Sequence, residues 1–205
     1  MENQVDTSPY KYNTQLHMYR PDGPLEPCEV PEGYILRTAR LEDGPQWCHC
    51  CRDGYLSIEE ESQELFEKNM LSDPNVSLDR IFVLETQEHQ IVATATAMLT
   101  DDPTHGRLHM VANPVEFRGK GLSKVVCWAV VDALQKLGRT TSSLSTDDFR
   151  LGAIKTYLRL GYLPVLYQED MEARWLDVMK ILGYSTLQTV LRTDGVHSEG
   201  PTLHL

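Results

Sequence analysis

Leu122, Val125, Val126, Ala129, Val130, Ala133, Leu134 and Leu137 recur at intervals of three and four, so one face of a long helix is continuous hydrocarbon, and Gly138 supplies its stop. Runs of strand-forming residues flank this helix at 108–112 and 140–146. A second stripe, Ala153, Ile154, Tyr157 and Leu158, ends at Gly161, and residues 162–168 read as another strand. The order strand, loop, helix, strand, helix, strand demands helical crossovers between parallel neighbours. The expected class is therefore α/β with a mixed central sheet flanked by helices.

The rest of the chain fits around that unit. Residues 1–31 are polar and rich in proline and acidic side chains, and read as an arm with one strand at 15–20 that could add to a sheet edge. A first core strand is expected at 34–37, with helical stretches at 44–51 and 60–71, the latter placing Leu65, Phe66 and Met70 on one face. Residues 80–85 and 90–99 read as a hairpin. Asp147 and Asp148 are placed to cap the helix that follows them. Trp175, Val178, Met179 and Leu182 mark a last amphipathic helix before Gly183, and the polar residues after Thr193 read as loose. The expected organisation is an arm at 1–31, one domain at 32–185 and a tail at 186–205.

With 205 residues, such a chain can bury a core without a metal or disulfide staple. No apolar run reaches membrane-spanning length, and the first residues lack the basic start and apolar stretch of a secretory signal. Five cysteines, three of them at Cys48, Cys50 and Cys51, argue against a secreted disulfide framework and for a reducing cytoplasm. The net charge of −11 argues against nucleic acid as a partner, and no membrane partner is expected. Residues 107–160 nevertheless carry nine Lys/Arg against four Asp/Glu, a local +5 that leaves −16 on the remainder. This contrast suggests an anionic ligand in the basic segment, although surface charge also varies along any chain.

The chemistry-bearing stretch is Glu116-Phe117-Arg118-Gly119-Lys120-Gly121-Leu122-Ser123, where a loop turns into the long helix. Glycine permits φ > 0 and lets a ligand approach the backbone, and the first amides of a helix offer unpaired donors at its positive end. Arg118, Lys120 and Lys124 add charge there. The spacing fits neither a P-loop nor the dinucleotide-binding glycine pattern, and by itself is equally an ordinary glycine turn.

Arg118-Gly119-Lys120-Gly121-Leu122-Ser123 resembles the Arg/Gln-x-x-Gly-x-Gly/Ala signature of the GCN5-related N-acetyltransferases (GNAT). Residues 146–150, Ala153-Ile154-Lys155-Thr156-Tyr157 and Leu160-Gly161-Tyr162 resemble the second signature of that family. The likeness covers roughly residues 33–168. It implies a GNAT-like fold whose fourth and fifth strands splay apart, with the pantetheine of acetyl-CoA lying between them. By position, Val111, Ala112 and Asn113 would offer backbone groups to the pantetheine and thioester, and a buried amide would stabilise the oxyanion. Gly119, Lys120, Gly121, Leu122, Ser123 and Lys124 would wrap the pyrophosphate, with Arg118 beside them. Arg150 stands where many members have asparagine, and its guanidinium would reach a CoA phosphate instead.

Tyr157 matches the tyrosine that protonates the departing thiolate in many members, a phenol still protonated at neutral pH. It is also a core aromatic on its helix stripe. One branch of the family carries a glutamate on the fifth strand, where this chain has Ser145. His109 falls where other members carry a histidine, and is the candidate general base or else a half-buried strand residue. Cys48-His49-Cys50-Cys51 has no second ligand pair, so no metal is expected. Cys127 lies within a helix and direct transfer needs no covalent intermediate. The resemblance thus implies an acetyl-CoA-dependent N-acetyltransferase acting on a primary amine of a small molecule or peptide. A non-catalytic acetyl-CoA sensor or scaffold and a protein N-acetyltransferase are its alternatives, and a homodimer is left open.

Overall fold

The computed structural model describes residues 14–53, 61–193 and 196–205. The chain divides into two compact units, Arg20–Ser143 on the one hand and Met1–Tyr19 with Leu144–Leu205 on the other. Among the described residues no helix is long and apolar enough to cross a membrane.

In the unit Arg20–Ser143, strands β2 (Tyr34–Thr38), β3 (Ile81–Thr86), β4 (Ile91–Leu99) and β5 (His105–Ala112) form an antiparallel meander. The first residues of β6 (Thr141–Thr146) run parallel to β5. Helix α1 (Gly44–Cys51) and helix α2 (Gln63–Phe66), which continues as a π-helical turn over Glu67–Leu71, supply the core of one face. Ser62 caps α2 through its hydroxyl, which accepts from the Leu65 amide at 3.2 Å, so the helix starts later than its sequence pattern suggests. That core holds Trp47, Cys48, Cys50, Cys51, Phe66, Met70, Ile81, Val83 and Ile91, with the Trp47 and Phe66 rings 5.3 Å apart. Three of the clustered cysteines are thus buried side chains of α1, and burial pushes their thiols up. His49 instead meets Glu61 at 2.8 Å and Glu116 at 3.8 Å.

Helix α3 (Leu122–Lys136) packs on β3, β4 and β5. Gly106 shows how closely, since a Cβ there would lie 2.4 Å from Leu134. A buried ion cluster ties β2 to β3: Arg37 forks to Asp43 at 2.6 and 2.9 Å and reaches Glu85 at 2.6 Å. Asp43 also accepts the Arg40 amide at 2.7 Å; burial pushes the Asp43 carboxyl up, but the bonds from Arg37 and Arg40 together outweigh it, and Arg37 likewise holds Glu85 below the usual carboxylate range.

In the other unit, β1 (Leu16–Arg20) pairs antiparallel with β7 (Leu163–Leu166), through Met18↔Pro164 and Tyr19↔Leu163. It stands between β6 and β7 in the strand order, not at the sheet edge expected of it. Its alternation explains why: Leu16 and Met18 are fully buried while His17 and Tyr19 point the other way and stack on Tyr167 and His197.

A second correction concerns the C-terminal tail. β8 (Thr186–Thr193) lies parallel to β7 and pairs along its length with β9 (Val196–His204), so residues 196–204, expected to be loose, are a paired strand.

Helices α4 (Leu151–Arg159) and α5 (Met171–Leu182) complete this unit. Asp147 and Asp148 do not cap α4, whose N-cap is Arg150 without a side-chain bond. Asp147 takes Arg150 at 2.8 Å and Gln15 at 3.1 Å, and Asp148 takes the buried Arg174 at 2.5 and 3.0 Å. Arg174 also donates to the Thr14 carbonyl at 2.8 Å, so the acidic pair fastens the start of β1's segment and α5.

Candidate functional site

β5 carries the first part of the site. Its ladder with β6 covers His105↔Thr141, Gly106↔Ser142 and Arg107↔Ser143, while β5 itself continues to Ala112. Its other edge stays paired with β4, but Thr96↔His109 and Thr94↔Ala112 leave two steps on β4 against three on β5. The extra residue is a β-bulge, and Met110 sits there at φ +48°. A non-glycine residue in the left-handed region costs energy and re-aims the backbone that follows it. The segment so re-aimed is Val111-Ala112-Asn113, the stretch singled out for backbone contacts. Nothing in the sequence marks Met110, because methionine has no special preference for that conformation.

Two of those groups have partners within the protein. The Ala112 carbonyl accepts the Cys50 thiol at 3.5 Å, and the Asn113 carbonyl accepts Arg118 Nε at 3.3 Å. Arg118 also donates to the Asp53 carbonyl at 3.0 Å. Arg118 therefore braces the loop against β5 and the end of α1. Cys50 is a contributor that the sequence did not reveal.

Gly119 and Gly121 adopt φ +76° and +77°, and a Cβ on either would meet nothing within 4 Å. The conformation demands glycine, and the space above it is open. Gly121 is the N-cap of α3, so no N-cap side chain accepts from the amides of the first turn at Leu122 and Ser123. Ser123 Oγ donates to Asn113 Oδ1 at 3.0 Å. Lys120 lies over the Phe117 ring at 4.6 Å, and Lys124 is exposed on the first turn. Left-handed glycines, a helix N-terminus and basic side chains suit a diphosphate.

His109 is half-buried on β5, directly across from Thr96. Burial and then the Arg107 charge lower its pKa, against a smaller opposing pull from Asp73. The imidazole is consequently neutral at pH 7 and able to accept a proton.

The remaining sequence-selected residues belong to the other unit. Tyr157 is 6% exposed on α4, with its ring edge-on to Tyr162 at 6.2 Å. Arg150 is held by Asp147 and lies over the Phe149 ring at 5.4 Å. Among the described residues no group of three His, Cys, Asp or Glu side chains is arranged to hold a metal ion.

Residues 40–162 match the model of the acetyltransferase (GNAT) family. The fold is similar to a GCN5-related N-acetyltransferase from Kribbella flavida, with 20% identity over 74% of this chain and 55% of that one and a TM-score of 0.54. A GCN5-related N-acetyltransferase from Sphaerobacter thermophilus gives 19% identity, 74% and 49% coverage and a TM-score of 0.56. A GNAT-family acetyltransferase from Colwellia psychrerythraea gives 17%, 74% and 53%, and 0.58. This chain spans about half the length of these solved structures. No curated protein matches it by sequence. The structural likeness carries the α/β fold, and the family match extends over more than half of the chain. The chain belongs to the GNAT family of acetyltransferases.

Proposed function

We propose that this protein binds acetyl-CoA and transfers the acetyl group directly to a primary amine. The observation that carries the reading is the sequence of features along one stretch of chain. A strand edge is left over beyond Arg107, a bulge at Met110 re-aims the next amides, and a left-handed glycine loop opens α3. An extended, amide-containing arm can add to a strand edge as a further strand would, and a diphosphate suits the loop. Gly119, Lys120, Gly121, Leu122, Ser123 and Lys124 would hold the diphosphate, while Val111, Ala112 and Asn113 would supply backbone groups to the arm. The bound cosubstrate supplies an activated acetyl thioester.

The chain's own residues then manage protons. An amine attacks only when unprotonated, and His109, kept neutral by burial and Arg107, is the group we assign to take the ammonium proton. Tyr157 is the group we assign to deliver a proton to the departing sulfur, since a phenol remains protonated at neutral pH. Three buried free thiols on α1 suit a reducing compartment, which supports a cytoplasmic location.

A second reading, an acetyl-CoA sensor or scaffold, draws on Ser145, which stands where one branch of the family has its glutamate base. A protein or peptide acceptor is the other alternative, and the acceptor is left as a primary amine. Thermal denaturation with and without acetyl-CoA tests the binding half of the proposal. A ligand at a hundred times its Kd adds about 2.7 kcal/mol, which raises the Tm by about 5–10 °C for a chain of this size. An unchanged Tm at millimolar acetyl-CoA would remove the reading altogether.

A further inference from the structure

Thr96 lies on β4 within the run Ile91–Leu99 and is fully buried. Its hydroxyl has no hydrogen-bond partner, whereas the hydroxyl of Thr94 on the same face donates to the Phe82 carbonyl at 3.0 Å. An unpaired buried hydroxyl is costly, and valine would fill the same volume in a strand without that cost. The ladder places Thr96 directly opposite His109. Residues opposite one another in an antiparallel pair project from the same face with Cβ atoms about 5 Å apart, within reach of an imidazole. This is the face whose core holds Trp47, Phe66 and Met70, so a ring nitrogen turned inward faces an apolar layer.

We propose that Thr96 is a positioning residue for His109, its hydroxyl accepting the N–H of the ring nitrogen that faces the core. One nitrogen then carries the proton permanently, and the other is left as the acceptor that faces outward. The inference rests on the assignment of His109 as the base in the proposed reaction. The charged groups that act on His109 are Arg107, two residues earlier on β5, and Asp73, in the turn after α2. His105, four residues earlier, is tied to Thr141 and Ser143 at 2.9 Å each. The ring and the hydroxyl are not bonded as the structure stands, so the contact requires the imidazole to turn about its side-chain torsions toward Thr96.

The test is NMR titration of His109 in the full chain, without ligand, for wild type, Thr96→Val and Thr96→Ser. A hydroxyl that accepts from the ring favours the imidazolium, so Thr96→Val should lower the His109 pKa by about half a unit or more and mix its tautomers. Thr96→Ser should restore both. The acid limb of kcat/KM should move with the titration, while the KM for acetyl-CoA stays within a few-fold. Thermal melts identify a variant that fails to fold, and Thr96→Ser then carries the comparison through its tautomer ratio. A His109 titration indifferent to Thr96→Val overturns the proposal, and so does a shift that Thr96→Ser fails to reverse. Full turnover by His109→Gln would instead overturn the base assignment, an outcome separate from the titration in the free protein.

Discussion

Ser123 Oγ donates to Asn113 Oδ1 at 3.0 Å, joining the first turn of α3 to the residue that follows β5. The bond spans the whole glycine loop and fixes its two ends to each other. A loop with two left-handed glycines has many alternative conformations, so this tie reduces the entropy lost when a ligand orders it. Ser123→Ala should raise the KM for acetyl-CoA by about three- to tenfold, the worth of one ordinary hydrogen bond, and leave kcat within twofold. Steady-state kinetics at saturating amine measures both.

Gly121 should tolerate no branched side chain. Valine at φ +77° is strained, and its methyl groups would enter the open space over the loop. Gly121→Val should abolish the rise in Tm that acetyl-CoA gives the wild type. Lys124→Glu, an exposed change on the same turn, should reduce that rise without altering the melt of the free protein. A full shift in both variants would move the phosphate site elsewhere.

Arg37 should behave as a structural residue whose removal is felt most at neutral pH. Arg37→Met leaves Asp43 and Glu85 buried without their partner, at a cost of about 3 kcal/mol. In the wild type both carboxyls titrate below their ordinary range. Their contribution is present above pH about 4 and is lost as the pH falls through the folded-state values. The gap between mutant and wild type in urea denaturation should therefore be wide at pH 7 and become narrow only once the pH has fallen below the depressed folded-state values. An equal gap at both would show that Arg37 acts by packing alone.

Tyr157→Phe removes one oxygen from a buried ring and keeps its edge-on contact with Tyr162. Affinity for acetyl-CoA should stay within a few-fold, while the chemical step falls by about 10²–10⁴-fold. Single-turnover measurements separate the two. A mutant with wild-type rates would return Tyr157 to the core.

Much of this could be read from the residues. The stripe from Leu122 predicts α3 closely, and Arg118 to Ser123 marks the loop because glycine spacing and charge coincide there. Other features depend on contacts that no local pattern shows. Gly200 and Pro201 look like a loose tail, yet a Cβ on Gly200 would lie 2.5 Å from Thr189 Oγ1. The glycine there serves strand contact within the β8–β9 hairpin, not flexibility. Asp147 and Asp148 have the composition of a cap, but two arginines and Gln15 bind them instead. The bulge at Met110 and the burial of Thr96 arise from the register of β4 on β5, which the one-dimensional sequence does not contain.

Transfer, as distinct from binding, requires that an amine accept the acetyl group. The direct measurement is release of the CoA thiol, followed with a thiol reagent as primary amines of small-molecule and peptide type are added to protein and acetyl-CoA. Direct transfer predicts release that depends on the amine, saturates with it and is matched by acetylated product. Tight acetyl-CoA binding with no amine-dependent release across the panel would contradict it and leave a binding module.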